Sequence, residues 1–229
     1  MKKQINKSIT LALLASALVF VSCGSTKSKS FPKMYSENPL VMLIMPPINN
    51  TSNVEAKDFF YTTLNVPIAE SGYYVLPPAM TMATLQKESA YDSENFIEGD
   101  LSKFAEIFGA DAAVFTIIRQ WDKVLVSNEI VIEVEYLIKS AKTNEILFDR
   151  NAEITYKISS GSSGQGLVGA LATTLADTID MALTDYIDVA VECNDSALGD
   201  IPYGKYHPKH GTDGGEPAFA KKIQIEKKK

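Results

Sequence analysis

The sequence predicts an α/β (α+β) fold: a mixed β-sheet with an antiparallel hairpin in its second half, helices packed on it, and a long C-terminal amphipathic helix. Three patterns predict it. Short continuous apolar runs at residues 40–45 (LVMLIM), 73–76 (YYVL) and 112–118 (AAVFTII) are separated by segments with helical spacing. Such runs suit strands buried on both faces. Residues 129–138 and 145–158 instead alternate apolar and polar, the period of a strand with one wet face. Leu167, Leu171, Leu175, Ile179, Leu183 and Ile187 recur every four residues, the stripe of an amphipathic helix.

The chain opens on Lys2, Lys3 and Lys7, followed by an apolar run at residues 11–21 (LALLASALVFV). About a dozen apolar residues are too few to span a bilayer, which needs roughly 20. They fit the apolar core of a secretory signal. Ser22-Cys23-Gly24 at its end resembles a bacterial lipobox, in which the cysteine is acylated and becomes the new N-terminus. Residues 1–22 are therefore expected to be a lipoprotein signal peptide, with Cys23 the site of lipid (palmitate) attachment. An ordinary signal followed by an incidental cysteine is the alternative. The polar stretch after Cys23, GSTKSKS, predicts a flexible tether over residues 23–38. Acyl chains contribute about 0.8 kcal/mol per buried methylene, so a multiply acylated cysteine anchors firmly where one chain does not.

Pro46-Pro47 stops the first strand, because proline cannot donate to a ladder. Phe59, Phe60, Leu64 and Ile68 then mark a helical stretch that Pro67 kinks or ends. The second strand at 73–76 precedes Pro77-Pro78, and residues 79–89 and 101–108 read as helices, the latter capped by Gly109. After the third apolar strand, the two alternating runs are joined by SAKTNE, which makes them a hairpin. Ile130, Ile132, Val134, Tyr136 and Ile138 share one face. In the second arm Ile146, Phe148, Ala152, Ile154, Tyr156 and Ile158 are expected to share theirs. Glu133 and Glu135 lie on the opposite face of the first arm, as the wet side of a half-covered sheet rather than as a catalytic pair, which requires one carboxyl buried and shifted.

Residues 39–210 are one domain's worth of chain. The tail, residues 211–229, ends in KKIQIEKKK and reads as disordered and basic. The whole chain carries 22 basic and 28 acidic residues, a net charge of −6. With no basic stripe in its body it is a poor nucleic-acid binder. Only two cysteines occur, Cys23 and Cys193. If the first carries lipid, no intramolecular disulfide forms and the core alone holds the fold. Cys193 follows the long helix, without a recognisable triad spacing to His207 or His210.

Gly164, Gly166 and Gly169 have the G-x-G-x-x-G spacing of a dinucleotide cradle. The context is wrong for one. A dinucleotide fingerprint needs a parallel strand before it and a second strand after the helix, ending in an acid about 20 residues on. Here an arm of a hairpin precedes it, and VECNDSALGDIPYG follows the helix. SSGSSGQG reads as a loop that turns the chain into the helix. No Walker, zincin or nucleophile-elbow motif occurs, and no cofactor or metal is expected. His207, His210 and Asp213 are the nearest thing to a ligand set, without an evident fourth member.

Four stretches, in order, resemble a family of bacterial envelope lipoproteins of unassigned function. VMLIMPPINNTSNVEA is similar to that family's first strand and its PP-x-N-x-T loop. GADAAVFTIIRQW resembles its central strand, and SAKTNEILFD its hairpin, where Asn144 stands at the usual glycine, an exchange that a positive-φ turn tolerates. LGDIPYGKYHPKHGTD resembles its proline-rich closing motif. The resemblance implies a fold like the TolB N-terminal domain, related to the lipoprotein part of the CsgG channel and to lipoproteins that activate penicillin-binding proteins. It implies no catalytic residues. The expectation is a non-enzymatic lipoprotein whose partners are the membrane, through the N-terminal lipid, and envelope proteins or copies of itself. It would lie in the outer membrane with its domain facing the periplasm. The expected docking surface combines Pro46, Pro47, Asn49, Asn50 and Thr51 with Pro202, Tyr203 and Tyr206, where prolines lower ordering entropy and tyrosines serve as anchors. A small-molecule or glycan binding module is the alternative, and a nucleotide-using enzyme the weakest.

Overall fold

The computed structural model describes residues 25–127, 129–157 and 186–228. Within them the chain forms one mixed sheet with strand order β3-β1-β4-β5-β6-β7, and the short strand β2 also pairs with β4. The first half is parallel. β1 (Val41–Ile44) lies between β3 (Tyr74–Val75) and the start of β4 (Ala112–Val124), and β2 (Ile48–Asn49) continues along β4. The second half is the expected hairpin, β5 (Glu129–Ser140) and β6 (Ile146–Lys157), with β4 antiparallel to β5 as well.

Side-chain period explains where the helices go. One face of the sheet carries Met42, Ile44, Val114, Ile130, Ile132, Val134, Tyr136, Ile138, Phe148 and Ile154, all buried in one core. Helices α3 (Ala56–Thr63), α4 (Asn65–Glu70) and α8 (Tyr186–Leu198) contribute Phe60, Leu64, Ile68, Val189, Ala190 and Cys193 to it. Among the described residues, the opposite face is covered over the parallel half. There Leu43, Met45, Ala113 and Phe115 pack against α5 (Pro78–Lys87) and α7 (Ser102–Phe108), while α6 (Glu94–Ile97) packs at the edge of the same cluster. The first strands thus sit in a three-layer region, which is why they are apolar throughout. The distal hairpin has one wet face, which is why it alternates.

Local expectations at the turns hold. Gly109 caps α7 in the left-handed region at φ +65°, and Asn144 turns the hairpin at φ +61°. The helix containing Pro67 breaks at Leu64 and restarts, so the proline sits in the first turn of α4, where its missing N–H costs nothing. A register shift beside Lys139 moves Ile146 off the core face and leaves it exposed, so Ile146 does not join Phe148 as the alternation implied.

Three expectations are corrected. Residues 27–37 are not a tether: α1 (Lys27–Ser30) and α2 (Pro32–Glu37) pack on β6 through the buried Phe31 and Met34. The tail is not disordered over 211–228. It forms a 3-10 turn at Asp213–Gly215 and then β7 (Lys222–Lys228), parallel to β6, with Ile223 and Ile225 packed against the core. Lysines dominate its composition, yet the period-two isoleucines decide its structure. Finally, Cys193 does not follow a helix but lies within one, α8, fully buried.

Candidate functional site: the closing segment and the anchor end

The closing segment, residues 202–213, is held to the turn between α4 and β3 by backbone contacts that only glycine permits. Gly204 N–H donates to Ser71 O (2.8 Å) and Tyr206 N–H to Gly72 O (3.0 Å). Gly72 has φ +89°, and a Cβ on Gly204 would lie 2.4 Å from Gly72 O. The Tyr73 hydroxyl donates to Pro202 O at 2.5 Å, which fixes the buried proline. Tyr203 stacks on His207 with ring centres 3.6 Å apart.

Two buried ion pairs then tie the first and last described segments into the fold. Lys27 Nζ lies 3.5 Å from Asp213 Oδ2 and 3.0 Å from Glu216 Oε2, beneath the Tyr203 ring. Asp213 also accepts the Tyr203 N–H at 2.9 Å. Arg150, on the inward face of β6 between Phe148 and Ala152, pairs with Asp200 at 2.5 Å and donates to Ala220 O. Asp200 in turn accepts the Phe219 N–H at 2.6 Å. A buried charge without a partner is very costly, so each pair obliges its two segments to stay together. The Ser25 carbonyl accepts the Ala218 N–H (2.8 Å) and Thr26 pairs with Pro217, so the described chain begins as part of the fold.

The two halves of the expected docking surface do not meet. The closing segment contacts residues 71–73, at the start of β3, while the 46–51 loop lies beyond the far end of β1. Along β4, which both strands pair with, Met42 (opposite Ala112) and Ile48 (opposite Ile117) stand five residues, about 17 Å, apart. Pro46 and Pro47 are buried, and Pro46 O accepts the Ser93 hydroxyl at 2.5 Å. Asn49 closes the loop on itself: its Oδ1 accepts from Thr51 N–H and Oγ1, and its Nδ2 donates to Asn53 O. Asn50 is exposed. Pro202 is buried and Tyr203 half-buried, which leaves Tyr206, 68 % exposed, as the aromatic available from that segment.

What sequence reasoning missed is the tip of the β4–β5 hairpin, where Val124, Leu125 and Val126 stand exposed in succession, Val126 completely. The signal was present as three consecutive apolar residues beside a turn. Glu135 pairs with Arg119 and Glu133 accepts from Asn151 on the wet face. Cys193 is buried among apolar groups, which push its thiol up and away from reactivity. Beside it Tyr136 donates to Asn194 (2.6 Å), which donates to Thr63 (2.9 Å), tying β5, α8 and α3 through one buried chain. His207, His210 and Asp213 each have other partners, and among the described residues no three His, Cys, Asp or Glu side chains converge. Cys23 and the Gly164–Gly169 stretch lie outside the described residues, as does the helical stripe from Leu167 to Leu183.

A groove of about 430 Å³ runs between α8 and β7, lined by Ser196, Phe219, Ala220, Ile223, Gln224, Ile225 and Lys227. The volume suits a small ligand. Its polar groups do not converge, since Gln224 donates to Glu153 and Lys227 pairs with Glu192.

Residues 30–201 match the family described as "Putative lipoprotein GNA1162-like", and the chain belongs to that family, whose function is unassigned. The match stops just before the closing segment. A relative from Neisseria meningitidis serogroup B, named "Putative lipoprotein NMB1124/NMB1162", is 27 % identical over 177 residues, covering 75 % of this chain and 81 % of its own. Among solved structures, the lipoprotein GNA1162 from Neisseria meningitidis is similar at TM-score 0.47 and 23 % identity, over 64 % of this chain and all of the other. A PelC dodecamer from Paraburkholderia phytofirmans gives TM-score 0.43 at 11 % identity, over 72 % and 89 % of the two chains.

Proposed function

We propose that this member of the GNA1162-like family is a non-catalytic lipoprotein of the cell envelope, acylated on Cys23, that docks envelope proteins or further copies of itself in a transport or assembly system. The outer membrane, with the domain in the periplasm, is the setting this reading takes. The observation that carries it is the position of Cys23, one residue (Ser22) after an eleven-residue apolar run and two positions before the first described residue of a lipoprotein-family fold. The side chains of the described residues support a docking role better than a chemical one. The buried thiol is quenched by burial, the carboxylates of the hairpin sit on a wet face, and the buried charges are consumed in structural pairs.

Of the expected contact residues, Tyr206 and Asn50 face solvent, and the tip residues Val124, Leu125 and Val126 join them as candidates. Photo-crosslinking amino acids placed at Tyr206 and Leu125 in intact cells test this. The reading expects a discrete crosslinked species of fixed mass from at least one site. Only uncrosslinked monomer at both sites, at native expression level, refutes docking. The α8–β7 groove supports a second reading, a small-molecule module, which requires a compound to be retained and released from the purified chain on denaturation.

A further inference from the structure

We propose that the domain is seated directly on its bilayer, in a fixed orientation, with the Ser25–Phe219 end in the headgroup layer and the β4–β5 hairpin tip held farthest from it. The inference rests on acylation of Cys23 and goes beyond it to how the molecule is presented. Only Gly24 separates Cys23 from Ser25, whose carbonyl is already bonded to Ala218 N–H and whose hydroxyl accepts from Ser30. An extended chain covers at most about 3.6 Å per residue, so the anchored cysteine lies within roughly 7 Å of the folded body. That is comparable with the roughly 5–8 Å thickness of one headgroup layer. No room remains for the domain to swing clear of the surface.

The position of the anchor in the sheet gives the direction. Ser25 and Thr26 join the chain at Pro217 and Ala218, just before β7, at the level where β6 begins. Phe148 on β6 is opposite Ile138, and nine residues on, Lys157 is opposite Glu129 beside the hairpin tip. At about 3.3 Å per residue the tip stands roughly 30 Å from the anchor end along the strands. Exposed Pro217, Phe219 and Ala220 give the anchor end an apolar rim, with Phe219 46 % exposed. Lys33, Lys221 and Lys222 flank it, but they already pair with Glu145, Asp149 and Glu153, so their net pull on anionic headgroups is small. Anchor position, assisted by Phe219, sets the seat. Partners would then meet Val124, Leu125 and Val126 at the membrane-distal end.

The test uses the full acylated chain reconstituted in phosphatidylethanolamine–phosphatidylglycerol vesicles that carry a headgroup quencher. A fluorophore is placed at Ala220→Cys in one variant and Val126→Cys in another. Cys193, being buried, stays unlabelled. Vesicle flotation comes first: a chain that does not float refutes the lipid anchor itself. For a chain that floats, the expected result is quenching about threefold or more stronger at position 220 than at 126. Equal quenching, or the reverse order, overturns the seating while leaving the anchor intact. Inserting twelve Gly/Ser residues between Gly24 and Ser25 lengthens the leash to about 20 Å, and quenching at 220 is expected to fall towards that at 126. Persistence of the full difference overturns the short leash as its cause.

Discussion

Arg150 shows how one side chain can fix the C-terminal segment of a polypeptide to its sheet. It occupies an inward position in an alternating strand flanked on that face by Phe148 and Ala152, and among the described residues Asp200 neutralises it. Replacing one partner leaves the other buried and uncompensated. Arg150→Met is expected to lower stability by about 3–5 kcal/mol in urea denaturation, whereas Arg150→Met with Asp200→Asn should cost clearly less than the two single changes combined. Additive costs in that cycle contradict the pairing. Asp111 works at the start of β4, inside the sheet. Burial pushes its carboxyl up, but the hydrogen bond from Lys142 and the N–H groups of Val41 and Leu40 outweigh burial and hold it below the usual aspartate range. A depressed folded value means that its stabilisation is complete above the ordinary value near 4 and lost as pH falls through the folded one. Acid titration of stability should therefore be shallower below about pH 4 in Asp111→Asn than in the natural chain, and an identical slope counts against this role. At this scale the sequence was partly legible. Asn144 and Gly109 announced left-handed turns by residue type. Arg150 did not announce Asp200, because the pairing spans 50 residues and charge alone does not say which segment will bury it.

Among the elements, periodicity carried the hairpin and the apolar strands, because side-chain period follows directly from backbone geometry. It failed where composition was allowed to override it. Ile223 and Ile225 alternate within a lysine-rich stretch, and the strand they form is parallel to β6, whose partner residues lie about 70 positions earlier. Local propensity contains no information about such a partner. The same holds for residues 27–37, whose polar surface hides Phe31 and Met34. If β7 closes the sheet, a chain ending at Ala220 loses the packing of two isoleucines and exposes the β6 edge. Its Tm is expected to drop by about 5–10 °C, at roughly 1 kcal/mol or more per isoleucine, with self-association visible in size-exclusion chromatography. An unchanged melt assigns the strand no stabilising role.

For the whole molecule, the two segments that begin and end the described residues, which sequence reading treated as loose, are tied into the fold by buried charges. Both are ion-paired into the body, and both lie at the end of the sheet where the anchor would enter. The candidate docking residues were legible only as residue types; the fold separates them to opposite ends of β1 and adds an apolar hairpin tip in their place. The proposed docking role draws on this arrangement: among the described residues the buried charges are held in structural pairs, and Val124, Leu125 and Val126 stand exposed at the hairpin tip. That account depends on Cys23. Intact mass spectrometry of the protein purified from membranes measures it directly. The expected species begins at Cys23 and carries the added mass of acyl chains, lost in a Cys23→Ser variant that retains residues 1–22. A soluble chain starting at another residue, or at Cys23 with its sulfur free, contradicts it.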